Sequence, residues 1–488
     1  MSPGRIRSLL LALLLVPGPC PPCLADDPAP ALAAGIRRII EAPRSAAAAW
    51  GIKVVSLDSG RVLFEHNAGK YFVPASNTKL FTAAMALQEL GPELRIRTSL
   101  YGPARPGADG ALAGDLVLYG RGDPTLMRPW DGGPFRPDPM EALARQLQDQ
   151  GVRTVRGDLV GDDSAFGAPP YGPGWEVEDL RFAYGAEPTA LAVHHNAVDL
   201  WVYPAPVPGR PCWLFAQPGQ GLFSFSNGTR TCAPGAEQPV RAERPPGEST
   251  IRVTGSLAPG SAPVRLSVPV RDSALWAARL LERALARHGI QVTGQVRSRH
   301  FPERQALPPA ELAHLESPPL LEILQQMMKQ SNNLAAQLIS LQADRLSPGR
   351  PAMAGWLERA GFPPGSALLE EGAGLSRRNL LTPDAIIRLL AFMDRRPEAA
   401  AFRSLLPIAG VDGTLRRRME GTQAQGNLRA KTGTLRYTHA LSGYVTGAGG
   451  ERLAFAILRN NYHFIPAPGQ PADPPQADLD AIAELLAQ

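Results

Sequence analysis

Three short motifs, Ser76-Asn77-Thr78-Lys79, Ser331-Asn332-Asn333 and Lys431-Thr432-Gly433-Thr434, stand far apart in the chain and read, in that order, as S-x-x-K, S-x-N and K-T-G. If they share one chemistry, the fold must carry three distant points of a 488-residue chain to a single cleft. Each motif is weak alone. Their order, and the local structure around each, point to a serine nucleophile served by amines. Lysine usage adds to this. Among 50 Lys and Arg residues only Lys53, Lys70, Lys79, Lys329 and Lys431 are lysine, and two of these five lie inside motifs. There an amine that can lose its proton is needed, which a guanidinium cannot replace.

Ser76 opens a helical pattern that runs to about Leu90, so Ser76 and Lys79 project from one helix face. Serine becomes a good nucleophile only when a base takes its proton. Lys79 serves once burial and a nearby cation, for which Lys431 is the candidate, depress its pKa. Ser331 and Asn333 alternate in a short loop or bend and can face one cleft. Ser331 would relay a proton to a leaving nitrogen, and Asn333 would hold a substrate amide and Lys79; an ordinary turn or cap is the alternative for Ser331. Gly433 leaves room for a substrate backbone, and Thr432 can bind a carboxylate. The Thr434 and Ser76 N–H groups would form an oxyanion hole. Lys431 is expected to read a carboxylate beside the scissile amide; the alternative is that it mainly depresses Lys79.

The N-terminus has Arg5 and Arg7, an apolar run Leu9–Val16 and a small residue, Ala25, before Asp26-Asp27. These are the parts of a cleavable export signal, residues 1–25, and the run is too short to span a bilayer, which takes about 20 residues. A periplasmic protein without an integral membrane span in its mature part is expected. Only Cys212 and Cys232 survive cleavage. A disulfide between them, closing a loop of about 20 residues for roughly 3 kcal/mol, is the expectation, with two free thiols the alternative. The net charge of +5 comes from dispersed arginines interleaved with acids, so nucleic-acid binding is not expected. His194-His195 is a poor metal pair, since adjacent residues rarely converge on one ion.

Helices are expected at Leu32–Glu41, Ser273–His288, Leu320–Leu341, Ala352–Ala360, Thr382–Met393 and Asp478–Leu486. Strands are expected at Trp50–Leu57 and Arg61–Glu65 around Asp58-Ser59-Gly60, and at Leu441–Val445 and Arg452–Leu458. Between residues 99 and 299 the pattern turns to short strand-like runs such as Leu116–Tyr119, Ala197–Tyr203 and Ile251–Val253. This implies a discontinuous α/β domain, 26–98 and 300–488, interrupted by a mostly β region, 99–299, of two subdomains.

With Gly122-Asp123-Pro124-Thr125-Leu126, Gly161-Asp162-Asp163-Ser164, Gly172-Pro173-Gly174-Trp175, Tyr184-Gly185-Ala186, Asn196-Ala197-Val198-Asp199-Leu200, Gly374-Leu375-Ser376-Arg377 and Asp412-Gly413-Thr414-Leu415, the chain resembles a known family over nearly all its mature length. It is similar to the class C low-molecular-mass penicillin-binding proteins, serine D-alanyl-D-alanine carboxypeptidases and endopeptidases with a large insertion. The resemblance implies a penicillin-recognising serine hydrolase (β-lactamase/transpeptidase-like) domain. It also implies peptidoglycan stem peptides as substrates, covalent binding of β-lactam antibiotics, and no metal or organic cofactor. Carried over by position, Ser76 would be acylated, Lys79 would be its base, and Ser331, Asn333 and Lys431 would complete the site. One departure is the stretch Glu371-Gly372-Ala373, where the family usually reads Asp-Gly-Ser. A β-lactamase shares the first chemical steps, and fast nitrocefin turnover would favour it. A non-catalytic wall-binding module would fail to label with a fluorescent penicillin.

Overall fold

The computed structural model describes residues 29–126, 138–167, 171–245, 247–303, 305–347, 349–463 and 474–488. The expected export signal and cleavage point lie outside them. Two distant parts of the chain build one five-stranded antiparallel sheet, ordered Arg429–Leu435, Thr438–Thr446, Arg452–Asn460, Ala49–Ser56, Val62–His66. The inner strands Thr438–Thr446 and Arg452–Asn460 are apolar on both faces, so helices must cover both. Strand alternation sorts their side chains. Leu441, Val445, Leu453, Phe455 and Ile457 pack with the terminal helices Ala29–Ile40 and Ala477–Leu486. Ala440, Tyr444, Ala454, Ala456 and Leu458 face the larger core. That core centres on the helix Thr78–Glu89, buried all round. Each of its Leu80, Phe81, Met85 and Leu87 side chains contributes about 1.5–3 kcal/mol by leaving water. The α/β serine-hydrolase architecture is therefore as expected.

The inserted unit is bounded differently from the expectation. Its five-stranded sheet runs Val296–Arg299, Leu159–Asp162, Leu116–Tyr119, Arg97–Gly102, Ala310–Glu316. Ala310–Glu316 pairs antiparallel with Arg97–Gly102, so the insertion ends near residue 316 rather than 299. The neighbours Leu116–Tyr119, Leu159–Asp162 and Val296–Arg299 are parallel and need crossovers. The helices Pro139–Asp149 and Ser273–Arg287 lie on those crossovers and pack against each other. Only the second helix was expected. Among the described residues three three-stranded sheets complete the insertion: Val264–Pro269, Ala197–Tyr203, Trp213–Gln217; Ser224–Thr231, Thr250–Leu257, Gln238–Glu243; and the short Gln291–Val292, Thr154–Val155, Ala111–Leu112.

The expected disulfide is not formed: Cys212 and Cys232 are free thiols. Cys212 is buried with its sulfur 3.9 Å from Thr231 Oγ1, while its backbone N–H donates to Thr229 Oγ1. It thus faces the side of the neighbouring segment that carries Thr229 and Thr231. Cys232 follows Thr231 directly, just past the end of the strand Ser224–Thr231, and is half-buried.

Candidate active site

Ser76 sits in a single 3-10 turn, Ala75–Asn77, that leads straight into Thr78–Glu89. Ala75 takes a left-handed backbone, φ 48°, at a cost of order 1–3 kcal/mol that the packing around it must offset. The turn leans on the K-T-G strand Arg429–Leu435. Gly433 permits this approach, since a Cβ there would stand 2.7 Å from the Pro74 carbonyl oxygen. Asn77, fully buried, donates from Nδ2 to the Lys431 carbonyl at 3.0 Å and fastens turn to strand.

One helical turn on, Lys79 is fully buried. Its Nζ donates to Ser76 Oγ at 2.9 Å, to Asn333 Oδ1 at 2.7 Å and to the Ala373 carbonyl. Burial pulls its pKa from 10.5 to about 7, against the Glu371 carboxylate, which raises it. An amine so placed is poised to exchange a proton with the serine hydroxyl. Lys431 Nζ donates to Ser331 Oγ at 2.9 Å and to the Thr432 carbonyl at 2.8 Å. Burial, then the neighbouring Lys79, holds it well below the usual lysine range. Of the two expected causes of a lowered Lys79 pKa, burial is the main one, while the interaction between the two amines lowers Lys431.

The apolar periodicity from Leu320 to Leu341 conceals a break. Ser331, at φ 58° and ψ 39°, ends the helix Leu320–Gln330. Asn332 then caps a new helix, Asn333–Leu346, with its side chain accepting from the Ala335 N–H at 2.8 Å. The break turns Ser331 toward Lys431 and Asn333 toward Lys79. Lys329, in the last turn before it, donates to the Leu406 carbonyl at 2.6 Å and to Asp412 at 2.7 Å. Thr414 and Thr432 share a hydroxyl–hydroxyl bond of 2.8 Å. Thr432 is thus buried and engaged, and Thr434 is the exposed threonine of the strand.

Several contributors lie outside the three motifs, and Glu371 stands out in the sequence only as a departure from the family pattern. Buried Glu371 accepts from the N–H groups of Ala373 at 2.7 Å, Gly374 at 2.5 Å and Ser376 at 3.4 Å, and from Asn379 Nδ2 at 2.8 Å. This curls the loop so that the Ala373 carbonyl meets Lys79. Burial raises the Glu371 pKa against those donors. The departure at Ala373 is mild for this contact, because the loop uses a carbonyl there. The insertion also reaches the site: Tyr184 O accepts from Asn333 Nδ2 at 3.0 Å, and His195 Nδ1 lies 2.8 Å from Asn332 Nδ2. No sequence signal marks a backbone carbonyl, and the sequence offers His195 only as half of a poor metal pair.

All three motifs meet in one cleft, and comparison with known proteins agrees with what that implies. The model of the D-Ala-D-Ala carboxypeptidase 3 (S13) family matches residues 32–483. The chain belongs to this family. As a member of the S13 family it is a D-alanyl-D-alanine carboxypeptidase of the low-molecular-mass class C penicillin-binding type. It is 37% identical over 472 residues to the D-alanyl-D-alanine carboxypeptidase of Actinomadura sp. (strain R39), covering 93% of this chain and 84% of that one. It is 28% identical over 432 residues to the carboxypeptidase DacB of Haemophilus influenzae, covering 84% and 85%. The crystal structure of penicillin binding protein 4 (dacB) from Haemophilus influenzae superposes with a TM-score of 0.78 at 26% identity, over 92% of this chain and 97% of that one.

Proposed function

We propose that this S13 protein cleaves D-Ala-D-Ala termini of peptidoglycan stem peptides through an acyl-enzyme on Ser76. Ser76 Oγ attacks the penultimate D-Ala carbonyl while Lys79, neutral, takes its proton. The oxyanion sits between the N–H groups of Ser76 and Thr434. As the C–N bond breaks, the proton passes through Ser331 to the leaving amine; water then attacks the ester and releases Ser76. A β-lactam amide opened by the same attack stays attached as a covalent adduct. The observation that carries this reading is the fully buried Lys79 amine, 2.9 Å from Ser76 Oγ with its pKa brought near 7. Intact mass after penicillin treatment should show one added acyl group, mapped to Ser76 and absent from Ser76→Ala. An adduct that persists in that variant would move the nucleophile elsewhere.

The site also suits D-Ala cross-links, so endopeptidase cleavage belongs to the same proposal. Both substrates carry a carboxylate on the carbon bonded to the amide nitrogen, and in this reading Lys431 and the exposed Thr434 bind it. Charge-assisted bonds of this kind contribute about 1.5–3 kcal/mol, on the order of 10- to 100-fold. Lys431→Gln should therefore cost much more kcat/KM on a free acid than on its C-terminal amide. Equal losses would assign Lys431 to tuning Lys79 instead. The signal-like N-terminus supports export to the periplasm, which fractionation of cells expressing the full chain tests.

A further inference from the structure

The small sheet Val264–Pro269, Ala197–Tyr203, Trp213–Gln217 turns one face to the core and one to solvent. Val198, Leu200, Val202, Ala216 and Val268 fill the inner face and are buried. The outer face is not what solubility alone would choose. In register across it lie Trp201 opposite Phe215 and Tyr203 opposite Trp213, with Arg265 opposite Trp201 on the other side. Trp213 is 53% exposed, Phe215 46% and Tyr203 37%. Core packing does not account for large rings left open to water on a face whose partner side already meets the core, and such a patch marks a binding surface.

The chemistry of the face narrows the ligand. Trp201 and Tyr203 rings are 6.5 Å apart and tilted by 30°, and Phe215 meets Tyr203 edge-on at 5.5 Å. Planar hydrogen-bonding groups are interleaved with them. Asp199 pairs with Arg265 at 2.7 Å, the Arg265 guanidinium lies 5.9 Å from the Trp201 ring centre, and Gln217 stands opposite Asp199. Asp199 and Arg265 compensate each other, so the three strands present no net charge on this face. Open aromatic planes edged by neutral-sum amide, carboxylate and guanidinium groups suit pyranose rings, whose C–H faces stack while hydroxyl and acetamido groups hydrogen-bond.

Its position narrows the ligand further. A cavity of about 940 Å³ is bordered by Trp201, Gln217 and Arg265 of this sheet and by Ser331, Asn332 and Asn333 of the catalytic cleft. A stem peptide of five residues spans at most about 17 Å, and its far end is joined to sugar. We propose that this sheet face holds the glycan strand of peptidoglycan, the chain of β-linked N-acetylated hexosamines from which the stem peptide enters the site. The identity of the polymer rests on the function proposed above; the aromatic face stands independently of it.

The test separates the two. Ser76→Ala full-length protein is titrated with peptide-free glycan strands, so binding is read without catalysis. Saturable binding is expected, weakened at least 10-fold by Trp213→Ala with Phe215→Ala, and several-fold by Gln217→Ala. These side chains are exposed, and unchanged unfolding midpoints show that the fold persists; Gln217→Ala stands as the second variant should the double change unfold. With Ser76 intact, kcat/KM for a stem peptide on its glycan, divided by that for the free peptide, should fall toward one in the same variants. Absence of glycan binding, binding indifferent to the substitutions, or equal loss on both peptides overturns the proposal. So does a self-associated dimer that the double variant abolishes, since a second copy would then own the face. Failure of Ser76 chemistry alone would leave the glycan titration intact.

Discussion

Lys79 is held between opposing influences, burial that removes its proton and Glu371 that retains it. If the neutral amine is the base, kcat/KM should climb with pH through an apparent pKa of about 7, being low below it where Lys79 is protonated and full above it. Lys79→Arg should abolish that limb and lower the rate by about 10²–10⁴-fold, because a guanidinium stays charged. Glu371→Gln removes the charge that raises the Lys79 pKa, so the limb should move to lower pH. A pH–rate profile that stays in place would deny Glu371 this influence. Ser76 and Lys79 could be read from the sequence because their contact is one helical turn, local and set by spacing. Glu371 could not, because its partners are main-chain N–H groups that exist only once the loop is curled.

The decisive elements are a helix that stops and a strand that is approached closely. Ser331→Gly should keep the left-handed break at no loss of stability, since glycine takes positive φ freely. It should nevertheless depress kcat/KM, isolating the hydroxyl from the backbone; unchanged activity would reduce Ser331 to a helix terminator. Gly433→Ala brings a Cβ against the Pro74 carbonyl and should shift the serine turn, lowering kcat/KM by about 10²-fold while denaturation midpoints change little. The break at Ser331 was hidden because apolar residues continue at helical spacing on both sides of it. Short strand-like runs on either side mask the helix Pro139–Asp149, although Asp138 as cap and Pro139 at the first position are helix-start signals.

Across the whole molecule, the insertion's outer limit is not legible in the sequence, because Ala310–Glu316 pairs with a strand some 200 residues earlier and no local pattern announces such a partner. The chain ends are joined as distantly. Asp478 accepts from Ser45 at 2.5 Å, from Arg44 at 2.5 Å and from fully buried Arg459 at 2.9 Å. Asp478→Ala leaves the Arg459 guanidinium buried without this counter-charge and should cost about 3–5 kcal/mol in equilibrium denaturation. A loss under about 1 kcal/mol would show that the aromatic rings around Arg459 suffice. The shared sheet also sets an order of events during synthesis. Ala49–Ser56 emerges from the ribosome some 400 residues before its neighbour Arg452–Asn460. Until then the early hairpin carries a bare, apolar strand edge, open to pairing with any other chain. On the proposed mechanism Ser76 likewise waits for Lys431, so a growing chain would be chemically silent and sticky at once, and reactivity toward penicillin would mark the molecules whose closing strands have paired.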